Sequence, residues 1–209
     1  MDLSGDARTL WDAAVALARA AAPVSPRPLP PLLFFTDPVR TPEPWRTAER
    51  LPEGAAVVYR TFGAEDAEAV GRRLRQVTAE RGIRLLVGLD ADLAERIGSD
   101  GVHLPERAAD QATALRARHP DWLLTAARHL PEGAAPYGLD ALVLSPIFPA
   151  GGTSSSKPAL GVEAIGAVIR ATGLPVYALG GIGLKTSGRL AGSGACGFAG
   201  VGAIRQAFV

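Results

Sequence analysis

The chain has 209 residues, 22 basic against 21 acidic, a net charge of +1, and 47 % hydrophobic residues with only 6 % aromatic. That length fits one domain with an aliphatic core, and the balanced charge gives no pull toward nucleic acid or an anionic membrane. One cysteine excludes an internal disulfide framework, and one cysteine with three histidines is poor stock for a metal cage.

Residues 6–22 read as an amphipathic helix, with Leu10, Trp11, Ala14, Leu17 and Ala21 roughly on one face. Asp2, Asp6 and Asp12 argue against a secretory signal there, because such a segment opens basic and carries an unbroken apolar stretch. No apolar run reaches the roughly 20 residues of a membrane span, so a cytoplasmic protein is expected. Residues 22–31 carry five prolines and form a stiff connector. The chain therefore divides into 1–30, helix and connector, and 31–209. The helix is expected to pack outside the second part, in place of a truncated last helix.

Eight short apolar runs follow: 32–36, 55–60, 84–88, 101–104, 121–127, 140–145, 175–179 and 197–201. They are near-continuous rather than alternating, as strands of a parallel sheet covered on both faces must be. Between them, short helices are expected around 45–50, over 64–81, near 93–98 and over 106–118. Eight strand–helix units in succession predict a (β/α)8 TIM barrel, an α/β fold with an extra N-terminal helix.

In that fold the chemistry collects at the C-terminal ends of the strands. Arg60, His103, His129, Ser145, Gly180, Gly181 and Gly202 stand at such ends. Gly180-Gly181 and Val201-Gly202-Ala203, after the last two runs, have the residue types for a backbone phosphate cradle at a helix N-terminus. The Gly/Ser/Pro-rich stretch 147–161 is the longest loop, and its Thr153, Ser155, Ser156 and Lys157 add hydroxyls and a cation. Of the histidines, His129 is the acid/base candidate, since imidazole suits metal-free proton shuttling. His103 is expected to orient a loop or fill the barrel top, and His119 to lie on the surface at the opposite side. Cys196 precedes the last run and is expected to be buried and inert.

The ordered segments GVHL (101–104), a strand-five histidine, SPIFP (145–149), LPVYALGGI (174–182) and GSGACGFAGVGAI (192–204) resemble the thiamine phosphate synthase/TenI family, over about residues 31–206. The resemblance implies a (β/α)8 barrel acting in thiamine biosynthesis. One branch joins hydroxymethylpyrimidine pyrophosphate to thiazole phosphate with magnesium. The other, the TenI-type thiazole tautomerases, aromatises thiazole phosphate with a histidine and no metal.

Departures from the family pattern bear on the branch. The synthase's Asn-Asp pair falls on Gly88 and Leu89, and the run carrying its second magnesium carboxylate reads Pro105-Glu106-Arg107-Ala108. Asp90 and Glu106 are the neighbouring carboxylates. Its Gln-x-Arg-x-Lys motif reads Val58-Tyr59-Arg60-Thr61-Phe62, and its pyrophosphate serine is Ala127. His129 stands where the tautomerase histidine is expected. The resemblance thus implies a TenI-like, metal-independent tautomerase with a small phosphorylated thiazole ligand, no nucleic-acid or membrane partner, and room for a homo-oligomer. Two alternatives stand beside it: a divergent thiamine phosphate synthase, which would need magnesium, and a non-catalytic thiazole or thiamine phosphate-binding regulator.

Overall fold

The computed structural model describes residues 3–22, 25, 27–151 and 158–208. Eight parallel strands close into one barrel in chain order, β8 pairing back onto β1. The strands are β1 (Leu32–Phe35), β2 (Ala56–Tyr59), β3 (Arg84–Gly88), β4 (Gly101–Leu104), β5 (Leu123–Arg128), β6 (Ala141–Leu144), β7 (Val176–Leu179) and β8 (Gly197–Gly200). Each coincides with one of the apolar runs, so the expected (β/α)8 barrel stands.

The helices depart more from expectation. They are α1 (Gly5–Ala21), α2 (Pro44–Ala48), α3 (Ala67–Glu80), α4 (Ala91–Arg96), α5 (Ala112–Arg118), α6 (Glu163–Thr172) and α7 (Gly202–Ala207). The helix expected over 106–118 opens as a tight 3-10 turn, Glu106–Gln111, before α5 begins. No helix joins β5 to β6; residues 129–140, broken by Pro131, Gly133, Pro136 and Gly138, cross as irregular chain. Only a 3-10 turn, Ser187–Leu190, separates β7 from β8.

α1 buries Ala7, Leu10, Ala14, Leu17 and Ala21, a stripe at helical spacing. That stripe lies against β8, β1, the 187–190 turn and α7. Ser4 caps α1 by accepting from the Ala7 N–H at 3.3 Å, and its hydroxyl donates to the Ala207 carbonyl at 3.3 Å, tying the two ends of the barrel chain together. No helix among the described residues is long and apolar enough to cross a membrane.

Strand parity divides the core in two. Leu33 and Phe35, Ala56 and Val58, Leu86, Leu123, Ala141 and Val143, Tyr177 and Ala199 fill the barrel interior as one buried cluster. The intervening residues, among them Phe34, Val57, Leu85, Val102, Leu124, Leu142, Val176 and Phe198, face the helices in a larger cluster. Successive side chains of a strand point to opposite faces, so each run had to be apolar throughout. Cys196 is buried beneath the interior cluster, and burial raises its thiol pKa far above the ordinary value.

Candidate active site

The inward parity, carried one step beyond each strand's last interior residue, selects the site. After Val58 comes Arg60, after Leu86 comes Gly88, after Thr125 come Ala127 and His129, after Val143 comes Ser145 and after Tyr177 comes Leu179. These residues, with Phe35 and His103, line a cavity of about 650 Å³ at the C-terminal mouth of the barrel. Thr61, Phe62, Leu89, Asp90, Pro105 and Arg107 complete the wall from the loops. Phe62 and Leu89 are the two described non-glycine residues with positive φ, 50° and 66°, and both stand in this wall. Left-handed backbone in bulky residues is strained, and such strain gathers at functional sites.

Arg60 is held on the β1 side. Its backbone N–H donates to Thr36 Oγ1 at 2.9 Å and its Nε to the Thr36 carbonyl at 2.8 Å. The guanidinium lies 5.5 Å from the Phe35 ring centre and 5.1 Å from that of Phe62. Its Nη2 is buried without a hydrogen-bond partner, the Asp37 carboxylate standing off at 3.8 Å. Burial lowers the Arg60 pKa from its ordinary value; the Asp37 charge opposes this and that of Arg40 adds to it. A desolvated, half-satisfied guanidinium is a ready partner for an anion.

His103 is 7 % exposed and pairs through Nδ1 with Thr125 Oγ1 at 2.9 Å, its register partner across the β4–β5 ladder. The Phe35 ring meets it edge-on at 4.9 Å. Burial, reinforced by the charge of Arg60, pushes its pKa down to about 3, so it is a neutral ring at physiological pH. This agrees with a residue that fills and orders the barrel top.

His129 is the more open of the two, with its side chain 35 % exposed. Its Nδ1 lies 2.7 Å from Glu106 Oε2, and its backbone N–H donates to Glu106 Oε1 at 3.3 Å. The pairing follows from register. Leu104 of β4 sits beside Ala126 of β5, so the chain two residues past the one meets the chain three past the other. His119, expected on the surface, is only partly exposed. Its ring stacks on Trp122 at 3.6 Å, and its Nε2 meets Glu95 at 2.8 Å, because the chain turns at Pro120 and folds the two rings together.

The phosphate-type loops sit beside this cavity rather than in its lining. Gly181 has φ +66°, and a Cβ there would come within 2.5 Å of the Pro149 carbonyl oxygen and 2.7 Å of Phe148 Cβ, so close approach of the β6 loop demands its glycine. Gly202 is different. Its φ is ordinary, and a Cβ there would meet nothing within 4 Å. It opens α7 after Val201, which supplies no side-chain cap. The first amides of a helix, those of Gly202 and Ala203 here, have no intrahelical acceptor. Thr153, Ser155, Ser156 and Lys157 lie outside the described residues. Sequence reasoning did not find Thr125 or the pairing role of Glu106, since both depend on the β4–β5 register.

A family model described as thiamine monophosphate synthase matches residues 35–204, most of the chain. A thiamine-phosphate synthase of Methanospirillum hungatei is 27 % identical over 75 % of this chain and 79 % of its own. One of Geobacillus kaustophilus is 31 % identical over 68 % of this chain, which spans about two thirds of that relative, 66 % of its length. Among solved structures, thiamine phosphate pyrophosphorylase from Pyrococcus furiosus superposes with a TM-score of 0.68 at 21 % identity, covering 85 % of this chain and 91 % of that one, a likeness of fold.

Proposed function

Because the chain belongs to the thiamine monophosphate synthase family, we propose that it acts in thiamine biosynthesis on a thiazole phosphate, and does so as a metal-independent thiazole tautomerase of the TenI type. The observation that carries the second half is the donor set along the β3–β4 edge. Gly88, Leu89 and Ala108 offer no side-chain oxygen, and a hard divalent cation needs oxygen ligands at fixed places. The neighbouring carboxylates are engaged. Asp90 Oδ1 caps α4 by accepting from the Leu93 N–H at 2.8 Å, and both Glu106 oxygens face His129. These residues do not fit the magnesium that the synthase branch uses.

A proton shift across a thiazole ring needs a positioned base and an anchor. His129, at the end of β5 and in the cavity wall, serves as the base: its ring nitrogen takes the proton from one ring carbon and returns it at the other position, with no net transfer to solvent. The amides of Gly202 and Ala203, with the Gly180-Gly181 turn beside them, hold the phosphate. Ser145 and Arg60 contact the ring end of the ligand from the cavity wall. His103, neutral and buried, shapes the floor.

The similarity to thiamine-phosphate synthases favours a second reading, transfer of a pyrimidine onto the thiazole phosphate. Turnover of the thiazole phosphate tautomer, with and without magnesium, separates the two. Metal-independent aromatisation is the expected result. Magnesium-dependent joining of pyrimidine pyrophosphate and thiazole phosphate selects the synthase, and ligand binding with neither activity selects a regulator.

A further inference from the structure

We infer that Glu106 is a positioning residue for His129: its carboxylate fixes the imidazole with the proton on Nδ1 and leaves the Nε2 lone pair for the cavity. This deepens the tautomerase reading above and rests on it only for the catalytic consequence. The geometry is two-pronged. Oε2 lies 2.7 Å from Nδ1, and Oε1 accepts the His129 backbone N–H at 3.3 Å, so one carboxylate holds both the ring and the chain that carries it. An ionised carboxylate can only accept hydrogen bonds, so the nitrogen facing it must bear the proton. A neutral ring then presents Nε2 unprotonated, the state a base requires, and a ring pinned at one edge cannot swing out of line.

Placement supports this over a merely structural pairing. Glu106 starts the turn that follows β4, and His129 leaves the end of β5, the next strand in the barrel. Both side chains are partly exposed at the mouth, 38 % and 35 %, and neither fills the core. A hydrogen bond this open contributes little to folding, yet its direction decides which ring nitrogen faces the ligand. Arg107, the next residue, is exposed in the same wall, while the Glu106 side chain turns to bond His129.

The test uses the full chain and reads the tautomer directly. In ¹⁵N-labelled protein, recorded well above the ordinary imidazole range so that rings are neutral, long-range ¹H–¹⁵N spectra report which His129 nitrogen is protonated, with His129→Ala giving the assignment. The wild type is expected to show Nδ1–H. In Glu106→Gln the amide oxygen keeps the backbone N–H and the amide nitrogen donates to Nδ1, so the proton moves to Nε2. With the thiazole phosphate tautomer, kcat is then expected to fall by about 100-fold or more while KM stays within a few-fold, the signature of a wrong tautomer in a preserved site. Glu106→Asp keeps an acceptor, so it is expected to retain Nδ1–H and recover most of kcat. Nε2–H in the wild type, or Nδ1–H persisting in Glu106→Gln, overturns the inference. Should Glu106→Gln not fold, the wild-type tautomer and the Glu106→Asp rates decide. A wild type with Nδ1–H but no thiazole turnover removes the proposed function and leaves the positioning role standing.

Discussion

Asp100 and Asp140 perform the same task in two places. Asp100, just before β4, accepts the Leu85 N–H of β3 at 2.7 Å and Arg75 Nη1 of α3 at 2.6 Å through one oxygen. Asp140, just before β6, accepts the Leu124 N–H of β5 at 2.7 Å and Arg116 Nη2 of α5 at 2.6 Å in the same way. Each carboxylate pins the start of one strand to the neighbouring strand and to the helix that leads into that neighbour. They differ in burial: the Asp100 side chain is 35 % exposed and that of Asp140 7 %, where Arg27 adds a second ion pair at 3.1 Å.

Removing one partner of a buried pair leaves an uncompensated charge, at a cost of about 3–5 kcal/mol, whereas an open pair is worth about 1 kcal/mol or less. Asp140→Ala is therefore expected to destabilise the fold by about 3 kcal/mol and Asp100→Ala by distinctly less, because water can replace the lost acceptor there. Urea unfolding midpoints measure both; equal losses would show that burial is not what separates them.

His103 gives the fold a built-in acid sensitivity. Its folded pKa, about 3, lies below its ordinary value of 6.5, so the unfolded chain binds more protons between those values. Stability from this residue is complete above pH 6.5 and is lost as pH falls toward 3, with a slope of at most about 1.4 kcal/mol per pH unit. Thermal unfolding from pH 7 to pH 4 should therefore fall more steeply in the wild type than in His103→Gln, which cannot titrate. Parallel curves would mean that the ring is protonated in the folded state.

Loss of His129 is expected to depress turnover of the thiazole phosphate tautomer by about 10²–10⁴-fold. Ligand affinity should stay within a few-fold, because the anchor is elsewhere. Steady-state rates and calorimetric binding of His129→Ala check this, and a large loss of binding with turnover intact would reassign His129 to ligand capture.

Two glycines at the phosphate-type loops should respond in opposite ways. Gly181→Ala forces a side chain into left-handed backbone and against the Pro149 carbonyl, so the melting temperature is expected to drop. Gly202→Ala adds a methyl into open space and leaves stability near wild type. If an anion sits against the α7 amides, that methyl crowds it, and the affinity for inorganic phosphate should fall. Unchanged affinity in Gly202→Ala would place the anion away from α7.

Arg60→Met removes the one described cation whose Nη2 is buried beside the cavity without a hydrogen-bond partner. Charged hydrogen bonds are worth about 1.5–3 kcal/mol, so binding of the thiazole phosphate is expected to weaken about 10–100-fold. The dissociation constant measures it, and the fold should survive, since Arg60 sits at the mouth and not in the packed interior.

The strands were legible because a barrel covered on both faces writes each of them as an unbroken apolar run, with no parity to decipher. The absent β5–β6 helix was harder: Pro131, Gly133, Pro136 and Gly138 forbid one, but a repeating strand–helix scheme invites the expectation regardless. Arg60, His103, His129 and Ser145 could be placed because a strand's end is visible in sequence and its last side chains stand at the mouth. Glu106, Thr125, Asp100 and Asp140 act only across neighbouring strands. Register between strands is a property of the closed barrel, not of any local window, so their pairings could not be read from the chain alone.

Strand parity also constrains how such a site can change over generations. Ala127 and His129 face the cavity while Arg128 between them turns its guanidinium to the carbonyls of Leu130 and Glu132–Ala134. A single inserted or deleted codon within β5 would exchange these roles at a stroke, turning an arginine inward and the histidine out. Point replacements at the strand tips, and length changes in the loops beyond them, carry no such penalty. New chemistry on this scaffold is therefore reached by changing letters at the mouth, while the spacing of the strands beneath it is inherited intact.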